Sequence, residues 1–176
     1  MEAANLGAWL APHPDHALDD ALARLAAVPG FAEDVGAWAA AALAVRADWP
    51  DGGASTGIPT WHYGHEPPNA FATTVAKFFR NALREDVLLT VCRGGIVFLP
   101  GAAGTVQEIF ADATDNYYGD EPALMVLVGK DYWQSHLPAW PLLQTLAAGR
   151  RMQDVLVLVD TVDEAAAALM AAGPAR

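Results

Sequence analysis

The chain has 176 residues, 53% of them hydrophobic and 18% charged, which suits one buried core and excludes a disordered tail. Twenty-one Asp and Glu against ten Lys and Arg give a net charge of −11; this field repels nucleic acid and anionic lipid, so an anionic ligand must be held by a local feature. Cys92 is the sole cysteine, which excludes an intrachain disulfide, and no segment is apolar and long enough to cross a bilayer.

Met1-Glu2-Ala3-Ala4-Asn5 has neither the basic nor the apolar stretch of a secretory leader, so a cytoplasmic location is expected. Asp15 is placed to cap a helix reaching about Val28, with Ala17, Leu18, Ala21, Leu22 and Leu25 at helical spacing. A second helix is predicted over residues 31–45, and the polar stretch 48–57 reads as a surface loop or linker. Residues 58–63 are expected to be extended, and Pro67-Pro68 to open a long helix ending near Arg84. Residues 95–99 (GIVFL) predict a buried strand, followed by a small-residue loop and a helix from Thr105 to about Tyr117. A strand over 123–128, a helix near 140–148, a strand over 155–159 and a helix from Val162 to Ala172 complete the chain. Continuous apolar strands alternating with helices imply a parallel sheet covered on both faces. The expected class is α/β, an open doubly wound, Rossmann-like parallel sheet whose ligands bind at the carboxyl ends of its strands.

The loop Pro100-Gly101-Ala102-Ala103-Gly104-Thr105 falls at such an end. Amides at the start of the following helix, with the positive end of its dipole, suit a phosphate, and the glycines allow close approach. The spacing is neither that of a P-loop nor that of a dinucleotide fingerprint. Thr105-x-x-Glu108 also matches a capping box, and the two readings can coexist. In the helix predicted before Arg84, Thr73, Lys77, Arg80, Asn81 and Arg84 share one sector, either to hold an anion or carboxylate partner or as a solvated face. His62, His65 and Glu66 lack a helical metal-binding register and read as a loop beside the site. Cys92, just before an apolar strand, reads as packing rather than as a catalytic thiol.

PGAAGTVQE resembles the PGGxGTxxE motif of the Lonely Guy (LOG) phosphoribohydrolases, a family once described as lysine decarboxylases. The opening residues Met1–Ala8 resemble the end of that family's other motif, GPGxMEAxNxGA. The run from Tyr63, YGHEPPNAFATTVAKFFRNALRED, is similar to a bacterial branch near the nucleoside-5′-monophosphate nucleosidases. Ala102 stands where the family has a second glycine, which requires a negative φ there. The chain opens inside the first motif, so the expectation is one LOG-like domain, 1–176, whose first strands are missing.

The resemblance implies hydrolysis of the N-glycosidic bond of a nucleoside 5′-monophosphate to free base and ribose 5-phosphate. It implies Glu108 and Arg84 as catalytic residues, Arg84 orienting the substrate or keeping Glu108 ionised. Phosphate would rest on Gly101, Ala102, Ala103, Gly104 and Thr105, with Glu2, Asn5 and Arg80 contacting substrate. No metal or organic cofactor, nucleic acid or membrane is implied, and a homodimer or larger homo-oligomer is expected by analogy. Lys77 and Lys130, the only lysines, have no setting suited to a pyridoxal phosphate Schiff base. The alternative is a non-catalytic module of the same fold that binds a nucleotide or a molybdopterin cofactor.

Overall fold

The computed structural model describes residues 2–31, 33–61 and 69–173, apart from the side chains of Glu2 and Ala3. His62, His65, Glu66 and Pro67-Pro68 therefore lie outside the described residues. The backbone divides into two compact units, Met1–Arg84 and Glu85–Arg176.

In the first unit, helices α1 (Glu2–Leu10), α2 (His16–Ala26) and α3 (Val35–Asp48) precede two short strands, β1 (Thr56–Gly57) and β2 (Thr74–Val75). Leu6, Trp9 and Leu10 pack with Ala17, Ala21, Ala42, Val45 and Phe71, and the alanines keep the side chains at the helix contacts small. Asp34 caps α3 by accepting from the Ala37 amide. Asp15 precedes α2 as predicted, but its own backbone is helical (φ −51°, ψ −36°) and its side chain makes no cap bond. The stretch read as a loop or linker is pinned down: the Gly53 amide donates to the Trp9 carbonyl, 3.1 Å. A Cβ on Gly52 would come within 2.1 Å of the Trp9 ring, and one on Gly53 within 2.2 Å of the Ala8 carbonyl oxygen.

The long helix predicted to end near Arg84 is not formed over residues 69–80. β1 and β2 pair in parallel there, Thr56 opposite Thr74 and Gly57 opposite Val75, with a further bridge between Thr60 and Phe78. Thr73 supplies the competing interaction: its Oγ1 donates to the Ser55 carbonyl (2.8 Å) and accepts from the Ser55 amide (2.9 Å). Beside it, β-branched Thr74 and Val75 favour the extended chain. The expected apolar helix face is divided accordingly, Phe71 being 1% exposed and Phe79 82%. Helix α4 starts only at Asn81 and runs to Val91.

The second unit carries β3 (Ile96–Phe98), α5 (Ala103–Tyr118), β4 (Met125–Val128), α6 (Ala139–Ala147), β5 (Leu156–Val159) and α7 (Val162–Ala172). A π-helical turn (Tyr132–His136) precedes α6, and a 3₁₀ turn (Arg151–Val155) precedes β5. The sheet is parallel throughout, in the order β3-β4-β5. Alternation along the strands divides the core between the sheet's two faces. Phe98, Met125 and Leu127 pack with Ile109 and Ala113 of α5 and Leu143 and Ala147 of α6. Val126 and Val128 pack with Ala165 of α7. This is the α/β parallel sheet expected from the continuous apolar strands. No helix among the described residues is long and apolar enough to cross a membrane.

Helix α7 begins with a capping box: Thr161 Oγ1 accepts from the Glu164 amide, and the Glu164 carboxylate accepts from the Thr161 amide. Removing the hydroxyl in Thr161→Ala is expected to cost about 1 kcal/mol of stability, measured by urea denaturation.

Candidate functional site

β3 ends at Phe98, and the chain turns through Pro100 and Gly101 into α5, which starts at Ala103, two residues earlier than predicted. Ala102 is the cap residue, at φ −110° and ψ −147°. Its φ is negative, the condition under which alanine can replace glycine there. The Val106 amide donates to the Ala102 carbonyl, 3.0 Å. The amides of Ala102, Ala103, Gly104 and Thr105 thus precede the helical hydrogen-bond ladder, and the Ala102 side chain has no oxygen with which to cap them. Ala102 and Ala103 are exposed. Amide donors and the positive end of a 16-residue helix are the features from which an anion site can be built.

The early start overturns the predicted capping box. Thr105 is the third helical residue rather than the cap, and Glu108, half-buried, stands in the second turn rather than the first. The loop is held from beneath. Tyr132 donates its hydroxyl to the Gly101 carbonyl at 2.6 Å, and a Cβ on Gly129 (φ +97°) would sit 3.5 Å from the Pro100 ring.

The basic stripe expected on the earlier helix does not form as a single face. Thr73 is engaged with Ser55 and Lys77 Nζ lies 3.6 Å from the centroid of the Trp61 ring, both ahead of α4. Arg80 is exposed, and its carbonyl accepts from the Arg84 amide. Asn81 and Arg84 remain together on α4, each 6% exposed. Glu85, the next residue, accepts from Gln107 Nε2 at 2.7 Å. Asn5 is buried and donates to Ser55 Oγ at 3.2 Å. Glu2 lies in α1 with its side chain outside those described. Lys130 forms an ion pair with Asp160 at 3.2 Å, and hydrogen bonds from Lys130 hold the Asp160 carboxyl below its ordinary range.

Sequence reasoning overlooked Asp112. The buried face of α5 is Ile109, Asp112, Ala113 and Asn116, so helical spacing from Ile109 already places this acid in the core. Asn116 Nδ2 donates to Asp112 Oδ1 at 3.4 Å and to the Ala123 carbonyl at 3.1 Å, while its Oδ1 accepts from the Ala123 amide at 2.7 Å. Burial, and secondarily the charge of Asp115, push the Asp112 carboxyl up to about 7. Burial and then Asp112 also raise the Cys92 thiol, which suppresses its thiolate.

The raised value fixes a sign. The native chain keeps a proton on Asp112 that the unfolded chain, near 3.8, has already released. Stability therefore falls as pH rises from about 4 to about 7, and the penalty is complete above that window. Asp112→Asn is expected to be more stable than the parent at pH 8 by on the order of 1–2 kcal/mol and nearly equal to it at pH 4, by urea denaturation.

A parallel sheet with helices on both faces, and a small-residue loop leading from a strand's carboxyl end into a helix, define a Rossmann-like α/β protein. The family described as "possible lysine decarboxylase" matches residues 39–169, and the chain belongs to that family, the LOG family. The matched stretch takes in Arg84, the loop and Glu108; Glu2 and Asn5 precede it. A search of curated proteins found no match.

Proposed function

We propose that the protein hydrolyses the N-glycosidic bond of a nucleoside 5′-monophosphate, giving free base and ribose 5-phosphate. The observation that carries this reading is the tip of α5, with its amides at 102–105 ahead of the helical ladder, in a member of the LOG family. The 5′-phosphate is assigned to the backbone of Gly101, Ala102, Ala103, Gly104 and Thr105. Glu108 lies three residues on, roughly 4.5 Å of helix rise, a distance suited to reaching the sugar of a nucleotide anchored at the tip.

Breaking the bond to C1′ builds positive charge on the ribose, which a carboxylate stabilises. Glu108 is assigned that role, together with directing the water whose oxygen bonds to C1′ while the departing base nitrogen gains a proton. Arg84 is assigned to orient the substrate, with Arg80, Asn5 and Glu2 as further substrate contacts. The reaction draws on no metal or organic cofactor, and residues 1–176 serve it together as one LOG-like domain in the cytoplasm. A homodimer or larger assembly is part of this reading; Leu83, Val87 and Val91, exposed at four-residue spacing on α4, are the surface it would cover.

Incubation with AMP, CMP and GMP and an assay for ribose 5-phosphate tests the proposal. Release from at least one nucleotide is expected. Binding without release from any would assign the fold a carrier role instead.

A further inference from the structure

The second unit has a cleft at the other end of α5, far along the helix from the phosphate loop. Leu89, Arg93, Asp112, Asp115, Glu121 and Pro122 are among its lining residues. Asp112 is 3% exposed, and its Oδ2 is buried with no hydrogen-bond partner. Its Oδ1 has only the long 3.4 Å contact from Asn116. The cleft also receives the negative end of the α5 dipole. Arg93, the basic residue of the lining, directs its Nε to the Thr90 carbonyl at 3.3 Å.

A carboxyl oxygen buried without a donor is costly once ionised, and a cation brought to it reverses that cost. We propose that this cleft binds an alkylammonium group, with Asp112 Oδ2 and Asp115 accepting from the ammonium and Leu89 and Pro122 contacting its methylene stem. The lining favours an ammonium over a metal ion. An ammonium presents three N–H donors and needs acceptors only, and no group of three or more potential metal-ligating side chains comes together among the described residues. The lining is mostly polar, and Leu89 and Pro122 within it offer an aliphatic stem the apolar contact that a hydrated ion would not use. This inference is independent of the nucleotide reading, since it concerns the opposite end of α5.

The test is calorimetric titration of 1,4-diaminobutane, and separately of magnesium chloride and calcium chloride, into the whole chain at pH 8. The diamine is expected to bind at one site, with Asp112→Asn and Asp115→Asn each weakening it by about tenfold or more. Circular dichroism of both variants checks that they remain folded. No diamine binding, equal binding by the folded Asp112→Asn variant, or binding of a divalent metal in place of the diamine would each overturn the proposal.

Discussion

Glu108→Gln lowers release of ribose 5-phosphate by about 10³-fold or more and leaves inorganic phosphate binding within a few-fold of the parent. The substitution preserves side-chain length and hydrogen-bonding capacity and removes only the charge. Glu108 is half-buried in the second turn of α5, where glutamine is a good helix former, so the helix and its tip persist. What changes is the transition state: the ribose cation loses the carboxylate that opposes its charge. A single charge placed against a developing charge in a water-poor site is worth several powers of ten in rate. The informative pattern is therefore a fall in kcat with little movement in phosphate affinity. Turnover surviving within tenfold would remove Glu108 from the chemistry.

Gly101→Ala destabilises the chain by about 3 kcal/mol and weakens phosphate binding at the same time. A methyl on Gly101 would meet Thr105 Oγ1 at 2.1 Å and Thr105 Cβ at 2.8 Å. The hydroxyl could rotate away, but the Cβ is fixed to the helix backbone, so either the loop or the first turn of α5 must shift. Tyr132 opposes that shift through its hydrogen bond to the Gly101 carbonyl. Any movement displaces the amides assigned to the phosphate, which couples the stability loss to a binding loss. Urea denaturation and phosphate titration measure the two. Adding Thr105→Gly removes the obstructing Cβ, and the double variant should recover phosphate binding despite the helix cost of a second glycine.

The second unit was largely legible in the sequence, for reasons that lie in its core. Strands buried between two helical layers must be apolar on both faces, so the runs at 96–98, 125–128 and 156–159 stand out from the helices around them. Helix α7 forms over the predicted Val162–Ala172, and the structure shows both ends marked, by the Thr161 cap and by Gly173 after the last turn. The first unit misled at residues 69–80, where apolar residues fall at helical spacing but the decisive interaction is the distant pairing of Thr73 with Ser55. A contact across 18 positions leaves no trace in local periodicity. Around the candidate site, the loop was legible from its small residues, whereas the helix start was not. Thr105-x-x-Glu108 has the composition of a capping box, but Ala103 and Gly104 already adopt helical geometry and carry Thr105 inside. Helical spacing from Ile109 puts Asp112 on the buried face of α5, although an acid in a helix is ordinarily solvated.

The most direct measurement compares AMP with adenosine at equal concentration, following free adenine from both and ribose 5-phosphate from AMP. If backbone amides at the start of α5 hold the 5′-phosphate while Glu108 faces the sugar, AMP gives adenine and ribose 5-phosphate in equal amounts and adenosine is cleaved at least about 10²-fold more slowly. Cleavage of adenosine as fast as AMP would contradict that assignment.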